Sequence, residues 1–240
     1  MLIAIILAAG TGTRLMPLTK EIPKPLLEIG NMTILERMMI NCISSGIEEF
    51  IIVVGHKKER VFEKIDYLSN KYGVKIHTIE NKKYDTTNTS CSVHLATNTL
   101  DNDVLIINGD NVVDSRIISG LVKISKTTLV VDNYKKLNEE SFKLRIEDNQ
   151  IMEIGKGIDI ETSTGEFIGV SKVSKEDLPK FNTLLERLIA KDVQNYYDIA
   201  YNDLSKESNI DYFYTDGLKW TEIDDKNDWE YAQTLVDGFD

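Results

Sequence analysis

The sequence predicts an α/β fold with a doubly wound, mostly parallel central sheet, and three observations carry that prediction. Short β-branched apolar runs at 2–7, 50–54 and 104–107 are typical of strands buried on both faces. Amphipathic stretches and short links separate these runs, which indicates parallel strands joined by helical crossovers. After Thr127 the pattern changes to short strands with a turn at 147–150, which favours a mixed-sheet second half. The whole is a Rossmann-like arrangement with helices on both faces of the sheet.

In the first half, strands and helices are expected to alternate. The first run leads directly into a loop of small residues at 8–13. Thr33 and Glu36 have capping-box spacing, which predicts a helix from there to about Ser45, stopped by Gly46. The other elements predicted in this half are a helix at 57–70, a strand at 74–79, a polar loop at 81–89, a helix at about 90–98 and a short helix near 114–124.

The second half is expected to combine short strands with longer helices. The sequence has no internal repeat, linker or low-complexity tract, and we therefore predict one domain over residues 1–240. The predicted elements are strands at 128–131, 141–146, 151–154 and 167–171, helices within 174–205, a last strand at 218–223 and a helix from about 226 to 236.

Composition limits the classes of function. The 240 residues are 42% hydrophobic and 28% charged, which is ordinary for a globular protein. The formal net charge is −11, and so acidic a chain repels phosphate backbones, which disfavours a general nucleic-acid binder. Any anionic ligand must therefore be held by a local group of cations and backbone amides.

Cysteine usage and hydropathy give expectations about location. Cys42 and Cys91 lack the paired spacing of a zinc cluster, and we expect reduced thiols. The run at 2–7 has no basic flank, so it is not expected to be a signal peptide, and no run approaches the roughly 20 apolar residues of a membrane span. The expectation is a soluble, cytoplasmic protein without nucleic-acid or membrane partners. The oligomeric state stays open, with a homodimer among the alternatives.

A glycine loop follows the first strand. It contains Leu7, Ala8, Ala9, Gly10, Thr11, Gly12 and Thr13. Glycines let the backbone approach a ligand closely, and successive amides can point at phosphate oxygens. A dinucleotide-binding fingerprint would need a small residue at position 15, which is Leu15, and a P-loop would need a lysine directly after its second glycine. The spacing therefore disfavours both NAD binding and P-loop hydrolysis.

Basic residues are concentrated just beyond this loop. Segment 14–24 contains three basic residues, Arg14, Lys20 and Lys24, and one acidic residue, Glu21. Prolines on both sides of Lys24 restrict the backbone there, which suits a lysine with a fixed point-charge role. The combination indicates a positive cradle for an anion.

Two aspartates follow predicted strands and are candidate metal ligands. Asp110 comes just after the run at 104–107, and Asp224 ends the run at 220–224. Open α/β sheets place their ligands at the carboxyl ends of strands, and Mg²⁺ usually takes one or two carboxylates together with phosphate oxygens and water. Glu222 and Asp225 are the alternatives to Asp224.

The buried strand followed by L-A-A-G-x-G-x-R and then P-K-P-L resembles the nucleotidyltransferases that make sugar nucleotides and CDP-alcohols. The signature stands at Leu7 to Arg14 and Pro23 to Leu26, and the likeness is strongest over 1–60 and thinner after 125. Among the branches, the sequence is most similar to the short choline-phosphate cytidylyltransferases. It is more similar still to the CTP:phosphoglutamine cytidylyltransferases of capsular phosphoramidate synthesis.

This resemblance implies a Mg²⁺-dependent transfer of CMP from CTP to a small phosphorylated acceptor, with release of pyrophosphate. It implies that half 1–125 binds the nucleotide and half 126–240 the acceptor. Arg14 would neutralise the leaving pyrophosphate, Lys24 would hold the α-phosphate and the incoming phosphate, and Asp110 with Asp224 would hold the metal. The nucleotide would contact the glycine loop, Leu7 to Thr13, together with Asn88 and Ser90.

The acceptor is predicted less directly. Choline enzymes of this type carry an aromatic residue just after an Asn-Glu pair, where this chain has Ser141. Lys143 and Arg145 follow on one strand face, and with Lys156 they favour an acceptor that bears a carboxylate. We therefore expect L-glutamine phosphate, giving CDP-L-glutamine for capsule modification. Choline phosphate stays open because several tyrosines between 196 and 214 could form a cage, and a sugar 1-phosphate with another NTP is also open.

Overall fold

The computed structural model describes residues 1–236. The strands described there are β1 Leu2–Ala8, β2 Glu28–Ile29, β3 Met32–Thr33, β4 Glu49–Val54, β5 Lys75–Glu80, β6 Asp103–Asn108, β7 Asn111–Val113, β8 Thr128–Asp132, β9 Lys143–Glu147, β10 Gln150–Gly155, β11 Gly165–Val173, β12 Asp211–Tyr214 and β13 Trp220–Glu222. The α-helices described there are α1 Ile34–Ser44, α2 Lys58–Tyr72, α3 Thr89–Thr97, α4 Ser115–Leu121, α5 Leu178–Lys191, α6 Ala200–Glu207 and α7 Lys226–Val236.

A nine-stranded sheet runs through the centre in the order β10-β9-β11-β6-β1-β4-β5, with β8 paired to β11 and β12 paired to β8. Strands β6, β1, β4 and β5 are parallel, and Ile5 at their middle lies opposite Ile51 and Ile106. Strand β11 runs antiparallel to β6, β8 and β9. The predicted α/β class, with a parallel first half and a mixed second half, is confirmed.

Helices cover both faces of this sheet. Along β1, Ala4 and Ile6 face a core formed with α1, α2, α4 and α7, whereas Ile3 and Ile5 face a second core formed with α3, α5 and α6. Because successive side chains of a strand point to opposite faces, a strand buried on both sides must be apolar throughout. This explains why the first run of the sequence has no polar residue.

A buried carboxylate ties α1 to α2. The hydroxyl of Thr33 accepts a hydrogen bond from the backbone N–H of Glu36, which caps α1 as predicted. The Glu36 carboxylate is itself buried and accepts hydrogen bonds from Lys64, Lys71 and Tyr72 at 2.7 to 2.9 Å. Burial acts to raise the pKa of Glu36, but these three hydrogen bonds outweigh it and lower the pKa to about 2.

Four strands were missed by the pattern, namely the two-residue strands β2 and β3 together with β7 and β12. Strand β7 begins at Asn111, directly after the turn that follows β6, and pairs with β13. Its three residues are too few to show alternation. Strand β12 pairs with β8, although all four of its side chains are half-buried and give no apolar-polar alternation. At the predicted hairpin, Asp148 and Asn149 have φ of 49° and 61°, the left-handed backbone that such a turn requires.

The carboxyl ends of β1, β4 and β6 meet at one edge of the sheet. The backbone N–H of His56, just after β4, donates to the carbonyl of Ala9, just after β1, at 3.1 Å. A Cβ at Gly109, just after β6, would lie 1.9 Å from the carbonyl oxygen of Leu7, so only glycine lets these chains approach so closely. Within residues 1–236 no helix combines the length and apolar composition needed to cross a membrane.

Candidate active site

A cavity of about 690 Å³ opens at this edge of the sheet. It is bordered by the glycine loop at Ala9 and Gly10, by Asp110 after β6 and by Asp224 after β13. Residues from the first turn of α3 and from the connection between β8 and β9 form the other walls. The cavity therefore lies where the sequence predicted ligand binding.

The glycine loop bends sharply at Gly12, whose φ of 62° and ψ of 32° are left-handed. A Cβ at this position would lie 3.1 Å from the Cβ of Lys24 and 3.1 Å from the Cγ2 of Thr19, so both conformation and packing favour glycine. Leu7, Ala9 and Gly10 border the cavity, whereas Ala8 is buried in the sheet core. The predicted loop residues Thr11, Gly12 and Thr13 continue the same bend toward the short helical turn at Thr13–Leu15.

The four residues predicted to handle charge converge although as many as 210 positions separate them. The Nζ of Lys24 donates to Oδ2 of Asp110 at 2.7 Å and to Oδ1 of Asp224 at 3.2 Å. An exposed Arg14 guanidinium donates to the same Asp224 oxygen at 2.9 Å. Burial acts to lower the pKa of Lys24, but the two aspartates outweigh it and raise the pKa, so the side chain stays an ammonium.

Local structure fixes each of these side chains. Lys24 begins a short helical turn between two prolines, in which the N–H of Leu27 donates to the Lys24 carbonyl at 3.1 Å. The pairing of β13 with β7 places Glu222 opposite Asn111, and the N–H of Ile223 donates to the Asp110 carbonyl at 3.0 Å. This two-stranded sheet is what brings Asp224 beside Asp110.

The two aspartates also fit a divalent cation. Within residues 1–236 the Oδ1 of Asp110 is buried and has no hydrogen-bond partner, which suits an oxygen meant for a ligand. Burial and the charges of Asp110 and Asp224 raise the pKa of Glu222 well above its ordinary value, so negative charge is crowded here. The part of the chain that the structure describes shows no group of three or more His, Cys, Asp or Glu side chains able to hold a metal. A cation on these aspartates would need phosphate and water oxygens as well, as Mg²⁺ commonly does.

The alternatives to Asp224 are placed differently. Glu222 borders the cavity. Asp225 does not, because its Oδ1 accepts from the backbone N–H groups of Asn227 and Asp228 and caps α7. Asp224 is the aspartate of this pair that points toward Asp110.

At the first turn of α3, the structure brings one of the two predicted residues to the cavity. Asn88 borders it and caps the helix, its Oδ1 accepting from the N–H of Thr89 at 2.8 Å. Ser90 is fully buried beside it and does not border the cavity. The sequence analysis missed Asn81, which borders the cavity and donates to the hydroxyl of Ser92 at 3.1 Å.

Two of the three lysine and arginine residues predicted for the acceptor lie elsewhere. Lys143 is buried, and its Nζ donates to backbone carbonyls of the 138–141 segment. Arg145 points along the hairpin surface and pairs with Glu147 at 2.5 Å. Neither borders the cavity. Lys156 does, and there it pairs with Glu140 at 2.9 Å.

A buried acid and aromatic rings form another wall. Of the tyrosines that the sequence offered for a cage, Tyr196 borders the cavity, whereas Asp198, Phe142 and Phe167 were not predicted. Asp198 borders the cavity with 5% of its surface exposed, and its Oδ1 has no hydrogen-bond partner in the described residues. Burial raises its pKa to about 7, against the opposing hydrogen bond with Tyr197 and, more weakly, the charge of Lys156. The rings of Phe142 and Tyr196 meet edge to face at 6.3 Å between centroids, and Phe167 borders the same space.

Comparisons with known proteins agree with this geometry. Residues 3–142 match the nucleotidyl transferase family. The chain is 30% identical to the CTP:phosphoglutamine cytidylyltransferase of Campylobacter jejuni, over 95% of this chain and 97% of that protein. It is 28% identical to the choline-phosphate cytidylyltransferase of Streptococcus pneumoniae, over 97% of each.

A shorter match and a solved structure add to these. The chain is 39% identical to the bifunctional protein GlmU of Methanococcus aeolicus over 61% of its own length, and the match spans 33% of that longer protein. The structure of the CTP:phosphocholine cytidylyltransferase from S. pneumoniae superposes with a TM-score of 0.81, covering 98% of this chain and 99% of that one.

Proposed function

This chain belongs to the nucleotidyl transferase family, and from that premise we propose that it is a cytidylyltransferase that transfers CMP from CTP to a small phosphorylated acceptor. The observation that carries the proposal is the meeting of Lys24 with Asp110 and Asp224 beneath the glycine loop. A nucleotide triphosphate and a phosphate acceptor repel each other. A site that joins them needs cations held in fixed places, and this cluster supplies them in an otherwise acidic chain.

The nucleotide would lie across the edge of the sheet. Its triphosphate would accept hydrogen bonds from the amides of the loop at 8–13, and the exposed Arg14 would meet the β- and γ-phosphates. Asn88, with Asn81 beside it, offers both donors and acceptors to the ribose and the pyrimidine edge. Asp110 and Asp224 would hold a divalent cation such as Mg²⁺, which when bound supplies neutralising charge to the phosphates.

In the transfer, an oxygen of the acceptor phosphate attacks the α-phosphorus of CTP in line. The new phosphorus–oxygen bond forms as the bond to the bridging α,β oxygen breaks, and pyrophosphate leaves with that electron pair. Lys24 contacts the α-phosphate and the acceptor phosphate, so their charges are screened while they approach. A phosphate monoester loses its second proton near pH 6, so the nucleophile is already ionised and no general base is needed.

For the acceptor, we propose L-glutamine phosphate. Asp198 and Lys156 border the same part of the cavity and interact electrostatically. An acid and a base in one cavity suit the ammonium and carboxylate of an amino acid, and an ammonium would give the Oδ1 of Asp198 a hydrogen-bond partner. Support also comes from the likeness to a CTP:phosphoglutamine cytidylyltransferase.

Choline phosphate is the second candidate, supported by the aromatic wall. Phe142, Tyr196 and Phe167 surround the space next to Asp198. Ser141, which stands where choline enzymes carry an aromatic residue, is followed directly by Phe142, so a ring reaches this wall from the neighbouring position. Aromatic faces and a carboxylate suit a quaternary ammonium, and a choline-phosphate cytidylyltransferase is among the relatives.

The test is a matrix of nucleotides against acceptors, with pyrophosphate release as the measurement. CTP, UTP, GTP, ATP and dTTP are each combined with L-glutamine phosphate, phosphocholine and glucose 1-phosphate. We expect release with CTP and L-glutamine phosphate, and a loss on the order of 100-fold or more in Lys24→Met. Lys123→Met should keep wild-type activity, because Lys123 is exposed and does not border the cavity. Release of pyrophosphate only with phosphocholine would show that choline phosphate, and not L-glutamine phosphate, is the acceptor. Release only with a sugar phosphate and another NTP would overturn the proposal.

A further inference from the structure

The segment between Arg14 and Lys24 contains a buried threonine. Thr19 is 2% exposed, and its hydroxyl donates to the carbonyl of Gly12 at 2.8 Å. Gly12 in turn packs so closely against the stem of Lys24 that an added Cβ would lie 3.1 Å from the Cβ of that lysine. Thr19 therefore binds Gly12, the loop residue that packs against Lys24.

A lysine in the connection between β4 and α2 binds the same segment. Lys57 lies between β4 and α2 in a left-handed backbone conformation with φ of 49°. Its Nζ donates to the backbone carbonyl of Thr19 at 3.2 Å and to that of Lys20. The N–H of the neighbouring His56 donates to the carbonyl of Ala9, so the connection between β4 and α2 holds the chain both at the start of the glycine loop and at residues 19–20. A left-handed residue is uncommon outside glycine, which marks this connection as specifically shaped.

Neither Thr19 nor Lys57 borders the cavity. They cannot contact a substrate there, but they hold in place the glycine loop, which borders the cavity and packs against Lys24. Charge on a transferring phosphoryl group is stabilised best by donors already in place, and a displacement of about 1 Å can cost on the order of 100-fold in rate.

We propose that Thr19 and Lys57 are positioning residues, which lock the glycine loop against Lys24 so that amides and ammonium act on one nucleotide together. The inference rests on the proposed function for its effect on turnover. The locking itself concerns the loop alone and can be measured without turnover.

Thr19→Val tests the hydroxyl, since valine keeps the shape and the methyl contact with Gly12 but cannot donate. We expect kcat for pyrophosphate release to fall about 10-fold or more, with the KM for the acceptor within about threefold. Thr19→Ser keeps the donor and should restore most of the activity. Thr183→Val is the matched control, because Thr183 makes a similar hydroxyl-to-carbonyl bond on the exposed side of α5.

Hydrogen exchange of the amides at 10–24 gives the readout that is independent of turnover. We expect faster exchange there in Thr19→Val and in Lys57→Met, and wild-type exchange in Lys58→Met, whose lysine pairs with Glu80 instead. Unchanged exchange and unchanged kcat in Thr19→Val would overturn the inference, as would a Thr19→Ser as impaired as the valine variant. Absence of turnover in the wild type, with exchange altered as expected, would instead refute the proposed function and leave the locking role standing.

Discussion

Replacing Asp198 by asparagine is expected to lower kcat/KM for the acceptor without affecting the nucleotide. The substitution keeps the shape of the side chain and removes its charge, and the acid is 5% exposed, so solvent screens it little. A hydrogen bond to a charged group contributes about 1.5 to 3 kcal/mol. At about 1.4 kcal/mol for each factor of ten, kcat/KM for an acceptor with an ammonium should fall about 10-fold to 150-fold.

The assay measures pyrophosphate release with matched acceptors. One pair is phosphocholine and 3,3-dimethylbutyl phosphate, its neutral isostere, and the other is L-glutamine phosphate and its des-amino analogue. We expect wild type to prefer the charged member of at least one pair, and Asp198→Asn to lose that preference while its KM for CTP is unchanged. Asp203→Asn, on the exposed side of α6 and paired with Lys206, is the control and should behave as wild type.

The pH dependence follows from the burial of Asp198, which raises its pKa to about 7. The carboxylate is charged above that pH and neutral below it, so kcat/KM for the acceptor should fall as pH drops through about 7. In Asp198→Asn the fall of kcat/KM near pH 7 should be absent, and the remaining pH dependence should come from the second ionisation of the acceptor phosphate near pH 6. Because the folded pKa is raised, the buried acid costs stability above its folded pKa, and Asp198→Asn should have the higher Tm at pH 8.

Equal rates for the charged and neutral acceptors in wild type would refute the assignment of Asp198 to the ammonium. A Tm at pH 8 that falls in Asp198→Asn would show that the carboxylate has a stabilising partner instead.

Two further outcomes concern the core and the metal. Glu36→Gln should lower the free energy of unfolding by about 3 kcal/mol near pH 7 in urea titrations, because two lysines of α2 lose a buried partner. The folded pKa of this acid is lowered from 4.5 to about 2, so the deficit should shrink as pH falls through that range, and a deficit independent of pH would contradict the ion pairs. Asp110→Asn should weaken Mn²⁺ binding with CTP at least 10-fold by electron paramagnetic resonance, while Asp203→Asn should not. Equal binding in both variants would place the cation elsewhere.

Much of the fold and of the catalytic end of the site could be predicted because the signals there are local. A run such as 2–7 has no polar face, so it must be buried on both sides. Asp110 follows β6 of the parallel sheet, where such residues collect at one edge, and Asp224 follows β13, whose antiparallel pairing with β7 places it beside Asp110. That geometry brings them within reach of Lys24, whose prolines are visible in the sequence.

The acceptor end could not be predicted because tertiary contacts decide it. Lys143 and Arg145 lie two residues apart on one strand, but the Nζ of Lys143 donates to carbonyls of the preceding loop, and Arg145 pairs with Glu147 on its own strand. Nothing near Asp198 in the sequence shows that packing of α3, α6 and β10 against its helical turn will bury it, and its wall depends on Phe142, more than fifty positions earlier. Burial of a lone polar residue has no periodic signature.

A nucleotide triphosphate should be held between the glycine loop, Lys24 and the two aspartates. A crystal structure with the non-hydrolysable analogue in which carbon bridges the α- and β-phosphates of CTP, and with Mn²⁺, tests it most directly. We expect the α-phosphate to lie against Lys24 and an anomalous manganese peak to be bound by Asp110 and Asp224. A triphosphate seated away from Lys24, or a manganese peak that neither aspartate contacts, would contradict it.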